Sequence, residues 1–430
     1  MKIAFYTLGC KVNQYETGAI ANEFVKNGYE IVPFEETADI YVINTCSVTA
    51  ESDRKSRQMI RRARRKNTDA VIAVCGCFPE GARDEAASLQ EADIITGTAH
   101  KLKLIELVNN FIKDKKRFIY EEKISDISEF EDFHATDFNE KTRAFIKVED
   151  GCENFCAYCI IPFLRGKIRS KPIDKAISEI KELACNGYKE IVLTGIHLTS
   201  YGKDIGEYSL IDLIEKAAET EGIYRIRLGS LEPGYINENI IERLKNVKKL
   251  CPHFHLSLQS GCDETLKRML RKYTTKEYEK EVNLLKNAFS DCTITTDIIA
   301  GFPGETVSEF DKNLSFIDKN LSLNVHIFVF SRRKGTAADT MPNQIEKQLK
   351  ILRSKKLFET VQKNRLKFLN AQIGKIYEVL FESETKKNIY EGFTENYIKV
   401  RVRSEKNIQN EILKVKIIEA NKDFCNGEIL

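Results

Sequence analysis

Residues 151–162 read GCENFCAYCIIP and set Cys152, Cys156 and Cys159 in a C-x3-C-x2-C pattern. A structural zinc site takes four protein ligands, and no nearby His or further Cys completes this set. An electron-transfer 4Fe-4S cluster also takes four cysteines. Three thiolates leave one iron of such a cluster open, which is useful when a substrate or cofactor must bind the metal. The spacing therefore points to chemistry at a cluster.

Working outward, FIKVE leads into the cysteines, and EIVLTGI, RIRLGS, FHLSLQS, TITTDIIAG and NVHIFVFS follow, each separated by a helical segment. Six such units predict a partial (β/α)6 barrel with its chemistry at the strand C-terminal ends. The candidates fall there. Gly301, Pro303, Gly304 and Glu305 in GFPGE form a glycine-rich turn opening a helix, where backbone N–H groups can meet a polar ligand. Ser230 and Glu232 in GSLEP and Gln259 in LQSG lie at equivalent ends. Each of these is, taken alone, an ordinary strand-to-helix turn, and only the cysteines make a cofactor pocket of them.

The remaining chain reads as two flanking domains. From Lys2 onward, IAFYT, YEIV, IYVINT, AVIAVC and DIITG alternate with helical patterns, one from Glu16 to Asn27, which predicts a small parallel α/β domain. Cys10, Cys46 and Cys77 each follow one of these runs. Strand C-terminal ends share one edge of a parallel sheet, so the three can converge on a second metal. A single cysteine there is more often a core residue; three at equivalent positions favour ligation. Cys75 lies two residues before Cys77 and leaves the third ligand open between them. Residues 119–141 have weak periodicity and read as an acidic linker and solvated loop. A helical pattern from Asn343 to Asn370, with Ile345, Leu349, Leu352, Val361 and Leu369 as its apolar stripe, predicts a packing helix. Short strands such as IYEVLFE, YIKVRVR and ILKVKIIE then predict an all-β module.

Composition is that of a globular protein, with 42% hydrophobic residues and 67 Lys+Arg against 64 Asp+Glu in 430 residues. Eight cations lie between Arg54 and Lys66. Such a helix can follow phosphates. In the last module Phe393, Tyr397, Lys399, Arg401 and Arg403 interleave aromatics with cations, a mix that suits a nucleic-acid groove. Solvated basic faces and core aromatics are the ordinary alternatives. The N-terminus fails as a secretory signal, and no apolar run nears the roughly 20 residues of a membrane span. A cytoplasmic protein without a membrane partner is expected, and its twelve cysteines are not expected to form a disulfide framework.

The cysteine pattern, with Tyr158 before the last cysteine, resembles the radical S-adenosylmethionine (SAM) superfamily. In that family the open iron chelates SAM, and the reduced cluster cleaves it to a 5′-deoxyadenosyl radical. Cys10, Cys46 and Cys77 ahead of such a core resemble the methylthiotransferases. The likeness continues through QSGCDETLKRMLRKYT, TDIIAGFPGE, HIFVFSRRKGT and GFTENYIKVRV, the last in a TRAM-like module. The stretch TLGCKVNQYET is similar to the branch acting on N6-threonylcarbamoyladenosine. The isopentenyladenosine branch tends to carry Gln-Met-Asn, and the ribosomal-protein branch Pro-Lys-Asn, after the cysteine.

The resemblance implies SAM and two 4Fe-4S clusters, with Cys152, Cys156 and Cys159 as the catalytic SAM-cluster ligands and Cys10, Cys46 and Cys77 as auxiliary ligands. Cys77 rather than Cys75 fits the family's Gly-Cys pattern. Cys262 stands where serine is common and, with Cys185, Cys251, Cys292 and Cys425, reads as structural. Two SAM molecules would serve each methylthio transfer to C2 of the nucleoside beside the anticodon. The implied partners are the tRNA anticodon loop and an electron donor such as flavodoxin or ferredoxin. The implied domains are 1–118 (auxiliary cluster), 119–141 (linker), 142–341 (radical SAM core), 342–370 (connecting helix) and 371–430 (TRAM-like). The same chemistry on isopentenyladenosine tRNA or on a ribosomal-protein aspartate, and a non-catalytic iron-sulfur RNA-binding or electron-transfer protein, are the competing readings.

Overall fold

The runs IYVINT and VIAVCG are apolar enough to be covered on both faces, and the computed structural model, which describes residues 1–120, 122–135, 142–320 and 324–430, buries every residue of both. They are β3 (Ile40–Thr45) and β4 (Val71–Gly76) of a sheet that also holds β1 (Lys2–Thr7), β2 (Glu30–Ile31), β5 (Ile94–Ile95) and β6 (Phe118–Ile119). All are parallel, in the order β2-β1-β3-β4-β5-β6. The order reverses between β1 and β3, which makes a crevice at their C-terminal ends.

The second layer is built from β7 (Arg143–Asp150), β8 (Arg169–Ser170), β9 (Glu190–Gly195), β10 (Arg225–Leu228), β11 (Ser230–Leu231), β12 (His253–Leu256), β13 (Thr293–Ala300) and β14 (Asn324–Val329). Hydrogen bonds group them as β10-β9-β7-β8 and β11-β12-β13-β14, with an isolated parallel bridge from Ile226 to Leu250 between the two groups. The six longer parallel strands are the expected six units. Ala144, Ile146, Ile191, Leu193, Ile226, Phe254, Ile294 and Ile298 face outward into the main core under the helices. The alternate positions, among them Arg143, Lys147, Glu190, Arg227, His253, His255 and Asp297, face inward. The lumen is consequently polar.

The third unit is a closed barrel of β15 (Ile376–Lys386), β16 (Ile389–Thr394), β17 (Lys399–Arg403), β18 (Ile412–Ala420) and β19 (Cys425–Ile429). It caps the N-terminal ends of the strands in the second layer. Arg225 Nη1 and Nη2 donate to Phe393 O (3.1 Å) and Glu378 O (3.0 Å), Arg227 Nη1 donates to Glu395 O (2.9 Å), and Thr293 Oγ1 donates to Asn396 O (2.6 Å).

Three expectations change. Phe118–Ile119 pairs with β5, and Phe133 and Ala135 are fully buried in the core of the first unit, so the expected linker is anchored at both of these points, while Glu122, Lys123, Ser125, Asp126, Ser128 and Glu129 between them are exposed; residues 121 and 136–141 lie outside the described residues. Two-residue strands and single anchoring aromatics leave no periodicity to read. The first helix begins at Lys11. On the long helix Lys347–Asn370, Leu349 and Leu352 are exposed, while Lys350 and Arg353 are buried. Arg353 turns that face inward because it donates to Glu305 Oε2 (2.7 Å) and Glu305 O (2.8 Å).

A buried ion cluster joins the first two units. Glu16, on the helix Lys11–Lys26, is fully buried and touches Lys101, Lys147 Nζ (2.7 Å) and Arg165 Nη1 (2.6 Å). Arg165 Nη2 donates to Asn13 Oδ1 (2.6 Å), and Lys147 reaches Asp150 Oδ2 (2.7 Å). Burial opposes the charge on Glu16, but Arg165, Lys101 and Lys147 outweigh it and hold the carboxyl well below its ordinary range. A carboxyl with a depressed folded-state pKa contributes stability above its unfolded value of about 4.3, lost as pH falls through the lower folded value. Acid should therefore loosen the contact between the two units in the range below about pH 4. Arg165→Met, which strips Glu16 and Asp150 of a buried partner, should cost about 3–5 kcal/mol, read as a lower urea midpoint for the first unfolding transition.

Candidate active site between two cysteine sets

Two sets of three cysteines lie near the contact between the first two units. Cys10 caps the helix Lys11–Lys26, Cys46 follows β3, and Cys77 opens the short helix Cys77–Gly81 after β4. They ring the crevice where the sheet order reverses. Asn13 Nδ2 donates to Leu8 O (2.7 Å) and Thr45 O (3.0 Å), tying together the two strand ends that carry Cys10 and Cys46. Gly76 sits at φ +97°, where a Cβ would lie 2.5 Å from Thr45 O, so only glycine lets β4 turn sharply enough to present Cys77.

Cys77 and Cys46 are buried and Cys10 is exposed. Burial pushes the Cys77 thiol up to about 12; Arg165 pulls it down, and the charges of Cys46 and Cys10 push it further up. Cys75 points to the opposite face, into the apolar core with Ile3 and Ile94, and burial alone dominates its rise to about 12. The geometry thus brings Cys77, not Cys75, to Cys10 and Cys46.

The second set sits on the loop after β7. Gly151, at φ +91°, would carry a Cβ 1.9 Å from Lys167 O, so it lets the loop leave the strand beside residues 166–167, where Cys152 N donates to Gly166 O (3.1 Å). Ala157 N donates to Met269 O (3.0 Å) and Ala157 O accepts from Ala338 N (2.7 Å), which fixes the loop between two distant segments. Burial raises Cys152 to about 11 and Cys159 to about 12. Cys77 packs with Ile160 and Leu164, just past Cys159, in one small apolar cluster that links the first set to the chain segment following the second.

The other sequence candidates divide. Glu232 sits at the loop, with Arg271 Nη2 2.7 Å from its Oε2, and the same guanidinium places Nη1 3.1 Å from Cys156 Sγ. Glu305 is committed to the fold: Arg353 and the Gly301 N–H (3.1 Å) use its Oε2. Gly304 N donates to Asn343 O (2.9 Å) and Pro303 O accepts from Arg268 Nε (3.3 Å). Gln259 holds a left-handed φ of +68° with its backbone bridged to Asp297 and Ile299, and Ser230 opens β11 with its side chain exposed. Sequence reading passed over Arg271, and over Glu149, whose Oε1 is buried without a partner just before the cysteine loop while His197 N donates to its Oε2 (2.6 Å). Burial, ahead of every other influence, raises the Glu149 carboxyl well above its ordinary range.

The lumen holds a third cluster. The ligand atoms of His255, Asp297 and His326 lie within 4.8 Å of one another. Lys11 enters the same space over the Phe145 ring (5.6 Å), and burial, then Arg143 and Arg227, lower its amine to about 8. Strand alternation in FHLSL and NVHIF is the signal that could have placed both histidines inward.

Both proposed RNA features are largely engaged within the protein. On the helix Ala50–Lys66, Arg54, Arg57, Arg61, Arg62 and Arg64 pair with Glu51, Glu85, Glu91, Glu35 and Asp93. Tyr397 stacks between His253 (4.5 Å) and Phe393 (4.8 Å) beneath the lumen, with Arg227 4.7 Å from its centroid. Lys399 and Arg401 pair with Glu391. Sequence spacing shows neither the distant acids nor the ring stack.

Residues 2–97 match the family described as "Uncharacterized protein family UPF0004", and residues 146–317 match the Radical SAM superfamily. The chain is similar to the threonylcarbamoyladenosine tRNA methylthiotransferase MtaB of Bacillus subtilis (strain 168), 38% identical across 100% of this chain and 96% of that protein. It is also similar to the tRNA-2-methylthio-N(6)-dimethylallyladenosine synthase of Caldicellulosiruptor saccharolyticus, 35% identical across 99% and 91%. In fold it is similar to the radical SAM methyltransferase TsrM of Kitasatospora setae, with a TM-score of 0.60 at 13% identity, covering 79% of this chain and 75% of that one.

All twelve cysteines are free, and their burial orders their reactivity. In metal-free protein at pH 8, alkylation mapped by mass spectrometry should label exposed Cys10 and Cys185 first and buried Cys75, Cys77, Cys251 and Cys425 last. Reconstitution with iron and sulfide should protect Cys10 and leave Cys185 reactive; equal protection of both would remove Cys10 from the site.

Proposed function

The chain belongs to the radical SAM tRNA methylthiotransferases of the MtaB type, and from that premise we propose that it inserts a methylthio group at C2 of N6-threonylcarbamoyladenosine beside the anticodon. The observation that supports this reading is the packing of Cys77, in the first three-cysteine set, against Ile160 and Leu164, which directly follow the second. Each set has the donor chemistry of a 4Fe-4S cluster with one open iron. Cys152, Cys156 and Cys159 would hold the SAM cluster, and Cys10, Cys46 and Cys77 the auxiliary one. When bound, the first supplies reductive cleavage of SAM and the second supplies the sulfur to be transferred.

The chain's own groups prepare the site. Arg271 bridges Cys156 and Glu232, so it positions the loop and offsets thiolate charge. Glu149, its carboxyl pushed up by burial and its Oε1 unpartnered, offers a buried polar atom to a bound cofactor, as do the turns at Gln259 and Gly301. Arg165 lies close enough to Cys77 to favour its thiolate while it holds Glu16. The polar lumen beneath accepts a modified base and excludes bulk water once the third unit caps it. The partners are a tRNA anticodon loop and a flavodoxin- or ferredoxin-type reductant.

Nucleoside mass spectrometry of tRNA from cells with and without the gene tests the substrate. Loss of the 2-methylthio threonylcarbamoyl nucleoside with accumulation of its precursor is expected; a change in the isopentenyl analogue instead would move the chain to that substrate. With purified protein, alanine at Cys152, Cys156 or Cys159 should abolish 5′-deoxyadenosine formation. Alanine at Cys10, Cys46 or Cys77 should keep that formation and lose the methylthio product. Normal product from the second group would contradict the division of labour.

A further inference from the structure

We infer that Lys11 is a carboxylate receptor in the barrel lumen, one residue from Cys10, and that it selects the threonyl arm of the substrate. The inference rests on the substrate reading above and adds to it a site and a specificity determinant. Lys11 is the first residue of its helix, and its side chain leaves the first unit to enter the second. It passes over Phe145 of β7 and feels the charges of Arg143, Arg227, Glu190 and Asp297, which come from β7, β10, β9 and β13. Only a position within the lumen is near all four strands.

The ammonium has no anion of its own. Among the described residues Lys11 makes no ion pair or hydrogen bond, and its contact is the Phe145 ring face. Of the carboxylates near it, Glu190 Oε1 is taken by Arg227 Nε at 2.7 Å, and Asp297 Oδ2 lies 3.2 Å from His255 Nε2, which makes no hydrogen bond. The side chain remains accessible to solvent inside the lumen, so a ligand can reach it. His255, Asp297 and His326 form a donor set that a divalent cation could use. Asp297 is its single carboxylate, however, and the lumen also holds the cations Lys11, Arg143 and Arg227. The lumen therefore favours an anion.

A carboxylate suits this site. The threonylcarbamoyl nucleoside ends in one, whereas the isopentenyl nucleoside has a neutral apolar arm. A charge-assisted contact between ammonium and carboxylate would discriminate the two by about 10- to 100-fold. Anchoring the arm beside Cys10 would also hold the purine near the auxiliary cysteines, so one side chain would serve both selection and placement.

The test compares an anticodon stem-loop carrying threonylcarbamoyladenosine with a twin whose threonyl carboxylate is a primary amide. Steady-state methylthiolation is measured for the reconstituted wild-type enzyme and for Lys11→Gln and Lys11→Arg, with iron content measured in each. The wild type should show a KM about 10- to 100-fold higher for the amide. Lys11→Gln, with iron content unchanged, should raise KM for the natural stem-loop to the amide's level and leave the amide's KM unmoved. Lys11→Arg should keep part of the discrimination. Equal use of both stem-loops by the wild type would overturn the receptor while leaving the substrate reading intact. A Lys11→Gln variant weakened equally on both would overturn it too, and would point to a phosphate contact or a structural role. A wild type inert on both, yet active on an isopentenyladenosine stem-loop, would refute the substrate reading and the receptor together.

Discussion

A single buried carboxylate organises this protein. Glu16 lies one helical turn and a half from Cys10, Lys147 is on the strand that leads to Cys152, and Arg165 ends the helix that follows Cys159. Salt bridges that bring these side chains together without solvent exposure also join the elements that carry the two cysteine sets. Replacing such a cluster with apolar residues need not destabilise a protein, but removing one member leaves uncompensated charge in a dry interior. Its value lies in register. Ions with fixed partners tolerate little sliding, and chemistry that passes a group between two metal sites tolerates little displacement.

The same contrast between dry charge and open charge runs through the barrel. Most small barrels fill their lumen with branched apolar side chains; this one lines it with Arg143, Lys147, Glu190, Arg227, His253, His255 and Asp297. Glu190 takes Arg227 at 2.7 Å with Arg143 and Arg225 at its margin, and Tyr397 closes the floor by stacking on His253. The third unit therefore completes the cavity in addition to whatever contact it makes with RNA. Among the described residues Lys11 enters this space without an ion pair.

Much of this was legible in the chain itself. Local spacing encodes the C-x3-C-x2-C loop, strand-end positions encode Cys10, Cys46 and Cys77, and alternating β and helical runs encode both parallel units. The choice of Cys77 over Cys75 follows from the turn at Gly76: Cys75 is still in β4 and faces the apolar core, while Cys77 opens the helix beyond the turn. What could not be read depends on pairs far apart in sequence. Glu16 meets Arg165 across 149 positions, and Arg353 meets Glu305 across 48, which turned a predicted apolar stripe to solvent. The basic helix looked like a phosphate track because Glu35, Glu85, Glu91 and Asp93 lie on other segments. Phe393 and Tyr397 looked like base-stacking platforms because a ring stacked on His253 has the same sequence signature as one stacked on RNA.

The direct test of the account is the coupling between SAM cleavage and product in a folded Glu16→Gln variant that retains its iron. If the buried carboxylate holds the two cysteine sets in register, 5′-deoxyadenosine should still form while methylthiolated nucleoside per cleavage falls by about 10- to 100-fold. An unchanged ratio of nucleoside to 5′-deoxyadenosine would contradict it.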